Sequence, residues 1–359
     1  MRYLANFYKL LCARFIGKRL YPIKLTCALT YRCNSRCRTC NIWKNKENWR
    51  DISSQLLHTV LNHFKRSLIW LDFTGGEIHL IEGLPELIVT AVNSSRVTSI
   101  TLTTNGLLSE KAVEDVRSIL NRIDPSIRVI YSVSMDGKES LHDYIRGIKG
   151  AFKRCWKTFK SMLEVEKKYS NFETCISYTI SQYNCGHLSE FIDYLEENDI
   201  SPERIKITVE HARSYYGKEG ETIDWDIKRL QKDIRAFLSV SRQEKRDLVS
   251  WMKDRFYFSY ANGILPFIEG KGGLSHMCKA GVNSLYLDPR GRLFICMQWN
   301  YEIGRVDSHG KIEIDLNKLR LGRSLIKRDQ CPNCWTPCET QVGWIVNLPV
   351  SLFLTWEKI

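Results

Sequence analysis

The first 46 residues contain no aspartate or glutamate, although they contain eleven lysines and arginines. The rest of the 359-residue chain is close to neutral, so the formal net charge of +13 comes mainly from this segment. A general nucleic-acid-binding protein is expected to carry a basic stripe across its whole domain. The charge distribution therefore predicts a local basic patch and no specific binding of nucleic acid.

The sequence also lacks a secretory signal, an internal repeat and a low-complexity tract. Lys9 interrupts the first apolar stretch, and Pro349 interrupts the uncharged segment 340–356, which falls short of a membrane-spanning helix. We therefore expect a cytoplasmic protein. In a reducing compartment, its thirteen cysteines are expected to bind metal or to take part in redox chemistry more often than to form disulfides.

Apolar β-branched runs alternate with segments of helical periodicity. Strands are predicted at residues 23–30, 68–74, 97–104, 127–134, 173–180 and 204–210. Helices are predicted at residues 53–66, 82–94, 109–122, 151–169 and 187–198, with N-caps at Ser53 and Ser109. This alternation predicts an α/β fold with a parallel sheet, a partial (β/α)6 TIM-like barrel, whose chemistry lies on the loops that follow the strands.

Three cysteines with the spacing C-x3-C-x2-C follow the first predicted strand: Cys33, Cys37 and Cys40. Three thiolates can hold three irons of a 4Fe-4S cluster and leave the fourth iron open to a ligand. A three-cysteine zinc site is the alternative interpretation. The triad alone favours the iron-sulfur cluster.

Glycines and polar residues end the following strands. Gly75 and Gly76 allow a close approach of the backbone, and Glu77 can accept a hydrogen bond from a protonated amine. Arg146 carries a planar guanidinium that suits a carboxylate. Four further polar residues follow the third, fourth and fifth predicted strands: Asn105, Ser134, Asp136 and Asn184.

In this order, the cysteine triad and the strand-end motifs resemble the radical S-adenosylmethionine (radical SAM) superfamily over about residues 15–215. The resemblance implies a 4Fe-4S cluster whose open iron binds S-adenosylmethionine. It implies reductive cleavage of that molecule to a 5'-deoxyadenosyl radical, which abstracts hydrogen from a substrate. It further implies an external electron donor of the flavodoxin or ferredoxin type.

The resemblance also implies roles for individual residues. By position, Glu77 resembles the residue that binds the methionine amine, and Arg146 the residue that binds the methionine carboxylate. Asn184 resembles a ribose contact, and Ile78 replaces the proline that usually follows the glutamate. The rest of the implied cofactor-binding set is Gly75, Gly76, Asn105, Ser134 and Asp136.

The C-terminal third carries five more cysteines: Cys278, Cys296, Cys331, Cys334 and Cys338. Residues 285–296 predict a β-hairpin that turns at 289–291. Two hairpin cysteines and a C-x2-C pair are also typical of a zinc ribbon. Beside the upstream motifs, this region resembles a twitch or shortened SPASM extension. That resemblance implies one auxiliary 4Fe-4S cluster on Cys278, Cys296, Cys331 and either Cys334 or Cys338, which accepts electrons or anchors the substrate.

The predicted organisation is a basic amphipathic helix (1–22), a radical SAM core (23–235), a helical connector (236–275) and a small hairpin-and-helix auxiliary-cluster domain (276–359). In the N-terminal helix, an apolar stripe through Leu4, Phe7, Tyr8, Leu11 and Phe15 lies beside basic residues. This combination predicts a peripheral contact with an anionic membrane.

The sequence alone is compatible with two functions. The first is a radical SAM enzyme that acts on a ribosomal peptide, a small alcohol or sugar, or a lipid-like molecule. The second is a zinc-stabilised binding protein that docks nucleic acid or another partner through its basic N-terminal face. The ordered motifs on successive strands favour the enzyme, because a binding module has no need of them.

Overall fold

The computed structural model describes residues 2–15, 20–44, 46–212, 218, 220–240, 248–273 and 277–347. Ten strands within these residues form one sheet. They are β1 Lys24–Thr30, β2 Trp70–Gly75, β3 Ser99–Thr104, β4 Arg128–Ser134, β5 Phe172–Ile180, β6 Ile205–Val209, β7 Ser284–Leu287, β8 Arg292–Cys296, β9 Trp299–Val306 and β10 Ile312–Ile314.

Strands β1 to β6 run parallel and pair in chain order. This confirms the predicted parallel sheet of six strands, and each boundary lies within two residues of the prediction. In the full sheet, β6 lies at one edge and β10 at the other, so the barrel is open. The carboxyl ends of β1 to β6 share one rim, which brings the loops that carry the sequence motifs together.

The described residues form eleven α-helices. They are α1 Arg2–Phe15, α2 Ser54–Phe64, α3 Leu84–Ser94, α4 Ser109–Leu120, α5 Glu139–Arg146, α6 Ala151–Glu166, α7 Leu188–Glu196, α8 Ile227–Val240, α9 Leu248–Ile268, α10 Leu316–Lys327 and α11 Pro337–Val346. The Ser53 side chain accepts a hydrogen bond from Leu56 N, which confirms this N-cap. The prediction for Ser109 is wrong, because Ser109 is itself the first helical residue and Leu108 occupies the N-cap position.

The helices bury their apolar faces against the sheet. In α2, every third or fourth residue is buried: Leu57, Val60, Leu61 and Phe64. These side chains belong to one large core cluster that also contains Phe73 of β2 and Tyr131 of β4. Burial of each large apolar side chain contributes about 1.5 to 3 kcal/mol, so this shared core holds the strand ends in a fixed arrangement.

The C-terminal third continues the same sheet. Strand β7 pairs in parallel with β1, and Lys24 lies opposite Ser284. Strands β8, β9 and β10 then extend the sheet in antiparallel fashion. The predicted hairpin between β7 and β8 is confirmed, and its turn contains Gly291 at a φ of +82°, a left-handed conformation that favours glycine.

Helix α1 packs against the C-terminal helix α11. Ala13 shares a small apolar cluster with Ile23 and Val342. The Lys9 side chain is buried, and its ammonium donates hydrogen bonds to the backbone oxygens of Leu68 (2.5 Å) and Arg96 (3.1 Å). Lys9 is therefore an internal anchor and does not contribute to a basic surface.

The outer face of α1 remains apolar. Tyr8 is 67% exposed, Leu11 39% and Phe15 76%, which are high values for large apolar side chains. The side chains of Leu4 and Phe7 lie outside the described residues. Across the described ranges, no helix is both long enough and apolar enough to cross a membrane.

Candidate functional site

A cavity of about 840 Å³ lies inside the parallel part of the sheet and extends to the rim at the strand ends. Its wall contains Cys33, Cys37 and Cys40 at the rim. The barrel strands contribute polar side chains deeper in the cavity: Lys24, Thr26, Asp72, Thr101, Ser132 and Thr208. The C-terminal third closes another side with Gln298, Thr336, Cys338 and Gln341. We call this cavity the chamber.

The loop after β1 presents the three cysteines to the chamber. The Sγ atom of Cys37 lies 3.1 Å from Ser35 Oγ and 3.7 Å from Arg146 Nη1. Burial raises the pKa of the Cys33 thiol to about 11, and burial with the neighbouring Cys37 thiol raises the pKa of Cys40. Close, buried thiols of this kind become thiolates when a cation binds them, so the loop is chemically suited to an iron-sulfur cluster.

The turn after β2 that contains Gly75 and Gly76, the glycine turn, packs against the loop after β1 that carries the three cysteines, the cysteine loop. The backbone N–H groups of Gly76 and Glu77 donate to the carbonyl oxygens of Thr30 (2.7 Å) and Arg32 (2.8 Å). A Cβ atom on Gly75 would lie 2.2 Å from Thr30 O, and a Cβ atom on Gly76 would lie 2.1 Å from Arg32 O. The close approach that these glycines permit is therefore to the cysteine loop itself.

The carboxylate of Glu77 is completely buried beneath this turn. It accepts hydrogen bonds from Thr104 Oγ1 (2.8 Å), Asn105 N (2.7 Å) and His79 N (3.2 Å). These bonds tie the loop after β2 to the loop after β3. Thr104 has no motif of its own, and its place at the end of a predicted strand, which also marks Asn105, is the signal that could have found it.

A second buried network lies behind Glu77. The ring of His79 contacts Asp115 Oδ2 through Nδ1 (2.7 Å) and the Tyr131 hydroxyl through Nε2 (2.9 Å). Asp115 and Tyr131 lie on α4 and β4, so this histidine joins three elements. No motif in the sequence pointed to this network, because its members are far apart along the chain.

Arg146 reaches the cysteine loop from the end of α5. Its guanidinium pairs with Asp136 Oδ2 at 2.7 Å, and its backbone oxygen accepts from Arg36 N at 3.0 Å. Burial raises the pKa of the Asp136 carboxyl, although the positive charge of Arg146 opposes this shift. The structure therefore brings Arg146, Asp136 and Cys37 together, as the order of the motifs predicts. Ser134 also lines the chamber.

Asn105 and Asn184 connect neighbouring loops. Asn105 lines the chamber, and its Nδ2 donates to Asn34 Oδ1 at 2.7 Å in the cysteine loop. Asn184 is completely buried, and its Nδ2 donates to the backbone oxygens of Asp136 and Thr179, both at 2.9 Å. Each asparagine thus fixes the position of an adjacent strand end.

Four of the C-terminal cysteines are neighbours. Burial raises the pKa of the Cys334 thiol, and nearby Cys278 and Cys331 raise it further. The thiol of Cys296 is likewise buried and close to Cys334 and Cys278. Within the described residues, no three Cys, His, Asp or Glu side chains converge tightly enough to hold a single metal ion.

Cys338 lies in a different environment. Its Sγ is 3.8 Å from Asp72 Oδ2, and its backbone oxygen is 3.5 Å from Lys24 Nζ. Lys24 and Asp72 form a buried ion pair at 3.2 Å that lines the chamber. Burial raises the pKa of the Cys338 thiol to about 11, and the charge of Lys24 opposes this shift.

Comparison with known proteins finds relatives that share part of the chain. The chain is 28% identical over 206 residues to the sporulation killing factor maturation protein SkfB of Bacillus subtilis (strain 168), covering 57% of this chain and 47% of the relative. It is 23% identical over 282 residues to the mycofactocin maturase MftC of Mycolicibacterium smegmatis, covering 77% and 64%. The chain thus spans less than two thirds of the length of either relative. No family model matches.

Two sets of solved structures share the fold. A structure of anSMEcpe with bound AdoMet and the Cp18Cys peptide has a TM-score of 0.55 at 14% identity, covering 94% of this chain and 99% of the other. Streptococcus suis SuiB bound to the precursor peptide SuiA has a TM-score of 0.53 at 16% identity, covering 82% and 64%. At such identities these structures establish the fold alone. The relatives and the shared fold agree with the resemblance to the radical SAM superfamily that the sequence motifs carry.

We predict that Glu77→Ala destabilises the protein by about 2 to 4 kcal/mol, because it leaves two buried N–H groups and a buried hydroxyl without their acceptor. Urea unfolding without S-adenosylmethionine would measure this loss. The exposed Glu82→Ala, in the same segment, is the control and should change stability by no more than about 0.5 kcal/mol. A Glu77→Ala variant as stable as the wild type, with weaker binding of S-adenosylmethionine alone, would assign the carboxylate to the cosubstrate instead.

Proposed function

We propose that the protein is a radical SAM enzyme that modifies a peptide. Cys33, Cys37 and Cys40 would hold a 4Fe-4S cluster at the rim of the chamber. When bound, this cluster supplies the electron that cleaves S-adenosylmethionine and so starts hydrogen abstraction from the substrate. The observation that carries the proposal is a three-cysteine loop that opens onto a partly open chamber with polar side chains on its strands, in a fold shared with the AdoMet-bound anSMEcpe.

The chain's own residues prepare the rim for this chemistry. Arg146 lies beside Cys37 and already carries a paired carboxylate, Asp136, so its guanidinium is held in one orientation. Asn105 fixes the loop after β3 against the cysteine loop. We propose that Gly75, Gly76, Asn105, Ser134 and Arg146 contact S-adenosylmethionine, with Glu77, Asp136 and Asn184 as supports behind them.

A peptide substrate is supported by the relatives and by the size of the chamber. The names of the relatives include a sporulation killing factor maturation protein and a subtilosin biosynthesis protein, and SuiB binds a precursor peptide. A volume of about 840 Å³ is within the range of small-molecule sites, so the chamber would accept a short segment of a peptide and not a folded domain. The remainder of the substrate would lie outside the barrel.

Reduction of the cluster requires an external donor, which we propose to be an acidic protein of the flavodoxin or ferredoxin type. Arg36 and Arg38 are exposed on the cysteine loop. Positive side chains at this place would attract an acidic donor and accelerate its association.

We further propose that Cys278, Cys296, Cys331 and Cys334 hold one auxiliary 4Fe-4S cluster. The thiol of Cys334 lies near those of Cys278, Cys296 and Cys331, which supports this set, whereas Cys338 lies beside Lys24 and Asp72 in the chamber. The cluster would stand next to the chamber, since Cys296 ends the strand that leads to the chamber wall.

The first test concerns the cluster at the rim. Anaerobically reconstituted wild-type protein should convert S-adenosylmethionine and a chemical reductant to methionine and 5'-deoxyadenosine. The Cys33→Ala/Cys37→Ala/Cys40→Ala variant should lose this activity completely, whereas Cys12→Ala, which removes a thiol on α1, should retain it. If the triple variant still formed 5'-deoxyadenosine, the assignment would be wrong.

The second test distinguishes Cys334 from Cys338. About eight irons per chain are expected in the wild type, because each of the two 4Fe-4S clusters needs its own set of cysteines. Cys334→Ala should lower iron and acid-labile sulfide to about four, and Cys338→Ala should leave both unchanged. The reverse pattern would make Cys338 the ligand. One zinc with about four irons in the wild type would assign these cysteines to a structural zinc site instead.

We also propose that the exposed face of α1 makes a peripheral contact with anionic membranes. Tyr8, Leu11 and Phe15 supply apolar area, and the exposed Arg14 lies beside them. Lys9 and Lys24 do not take part, because both are buried. This contact is independent of the proposed chemistry.

Cosedimentation with phosphatidylserine-containing vesicles tests the membrane contact. Leu11→Ser/Phe15→Ser should lower the bound fraction at least tenfold, because each apolar side chain that enters the interface contributes about 1.5 kcal/mol or more. Leu321→Ser removes an exposed leucine from α10 and should have no effect. Equal and negligible sedimentation of all three proteins would leave α1 as a packing element only.

A further inference from the structure

The turn between β8 and β9 buries a polar residue, although tight turns normally lie at the protein surface. It consists of Met297 and Gln298 and connects Cys296 to Trp299, which face each other across the two strands. Gln298 is only 2% exposed and lines the chamber. Asn, Asp and Gly are the residues that two-residue turns favour, so the turn itself does not account for a glutamine here.

The side-chain amide of Gln298 is not satisfied by the protein. In the part of the chain that the structure describes, neither Oε1 nor Nε2 has a hydrogen-bond partner. Burial of an amide without partners is unfavourable, and native proteins seldom retain such a group unless it serves a purpose. The backbone N–H of Gln298, by contrast, donates to the Cys296 thiol and so fixes the turn.

We propose that Gln298 binds an amide group of the substrate inside the chamber. A carboxamide offers an acceptor and two donors on neighbouring atoms. A carboxylate would satisfy Nε2 alone. An amide ligand satisfies both atoms together, either as the N–H and C=O of one residue in an extended peptide or as an Asn or Gln side chain. This inference rests on the proposed peptide-modifying function and names the group that is recognised.

The position of Gln298 gives this contact a specific consequence. The turn follows Cys296 directly, so a bound amide would lie between the C-terminal cysteines and the remainder of the chamber. A site that hydrogen-bonds a substrate amide discriminates strongly against an analogue without that group, because its own buried atoms then remain unpaired. Gln298 would therefore determine which segment of a peptide enters the chamber.

Three small probes can test the contact on reconstituted holoprotein with S-adenosylmethionine bound. N-acetylalanine N-methylamide represents a peptide residue, its ester analogue O-acetyllactic acid N-methylamide lacks the central N–H, and propionamide represents an Asn or Gln side chain. Dissociation constants would be measured by equilibrium dialysis for the wild type and for Gln298→Leu. The matched control is Gln341→Leu, because Gln341 also lines the chamber but bonds to Tyr257.

We expect the wild type and Gln341→Leu to bind the alanine probe about tenfold more tightly than its ester analogue, the effect of about one hydrogen bond. Gln298→Leu should abolish this difference and weaken the alanine probe about tenfold. If Gln298→Leu weakens the affinity for propionamide alone, the recognised amide is that of a side chain. Equal affinities of the wild type and Gln298→Leu for both amides, or no binding of either amide to the wild type, would overturn the inference.

Iron content and formation of 5'-deoxyadenosine without any probe should be measured on the same preparations. A wild-type protein that does not cleave S-adenosylmethionine would refute the proposed function whatever the binding data show. Intact cleavage with equal probe affinities would refute the role of Gln298 alone.

Discussion

The arrangement of the rim depends on the contact between the glycine turn after β2 and the cysteine loop after β1. At Gly75 and Gly76, a Cβ atom would lie just over 2 Å from a carbonyl oxygen of that loop, so no side chain fits there. The contact sets the position of Glu77, which in turn holds the backbone of Asn105. Asn105 reaches back to the cysteine loop through Asn34. Three consecutive strand ends are thereby locked into one ring of contacts.

The sequence predicted the barrel well because its strands are apolar β-branched runs that alternate with amphipathic helices. The periodicity located β1 to β6 within two residues, and the order of the motifs predicted Arg146 as a residue of the same site as the cysteine triad. Sequence patterns predicted less well which side chains are buried and which way they point. Glu77 has the expected position in the motif, but only the fold reveals that Thr104 and two backbone N–H groups surround its carboxylate.

Long-range pairings were beyond the reach of sequence patterns. Spacing alone did not distinguish Cys334 from Cys338, because both lie within one short segment and only the packing of α11 turns Cys338 towards Lys24 and Asp72. The same reason applies to Lys9, whose partners are backbone oxygens about 60 and 90 residues away. Gln298 carried no motif, and its significance appears only when burial and the missing partners are considered together.

The parallel pairing of β7 with β1 has a consequence for how such proteins diversify. The strand that precedes the cysteine loop is bordered on one side by β2 and on the other by a strand encoded more than 250 residues later. Removal of the C-terminal third would leave the backbone groups of β1 exposed as a bare edge, which invites pairing with other chains. The C-terminal third is therefore not a freely exchangeable segment. A related protein with a different C-terminal region would therefore need a strand equivalent to β7 that pairs with β1.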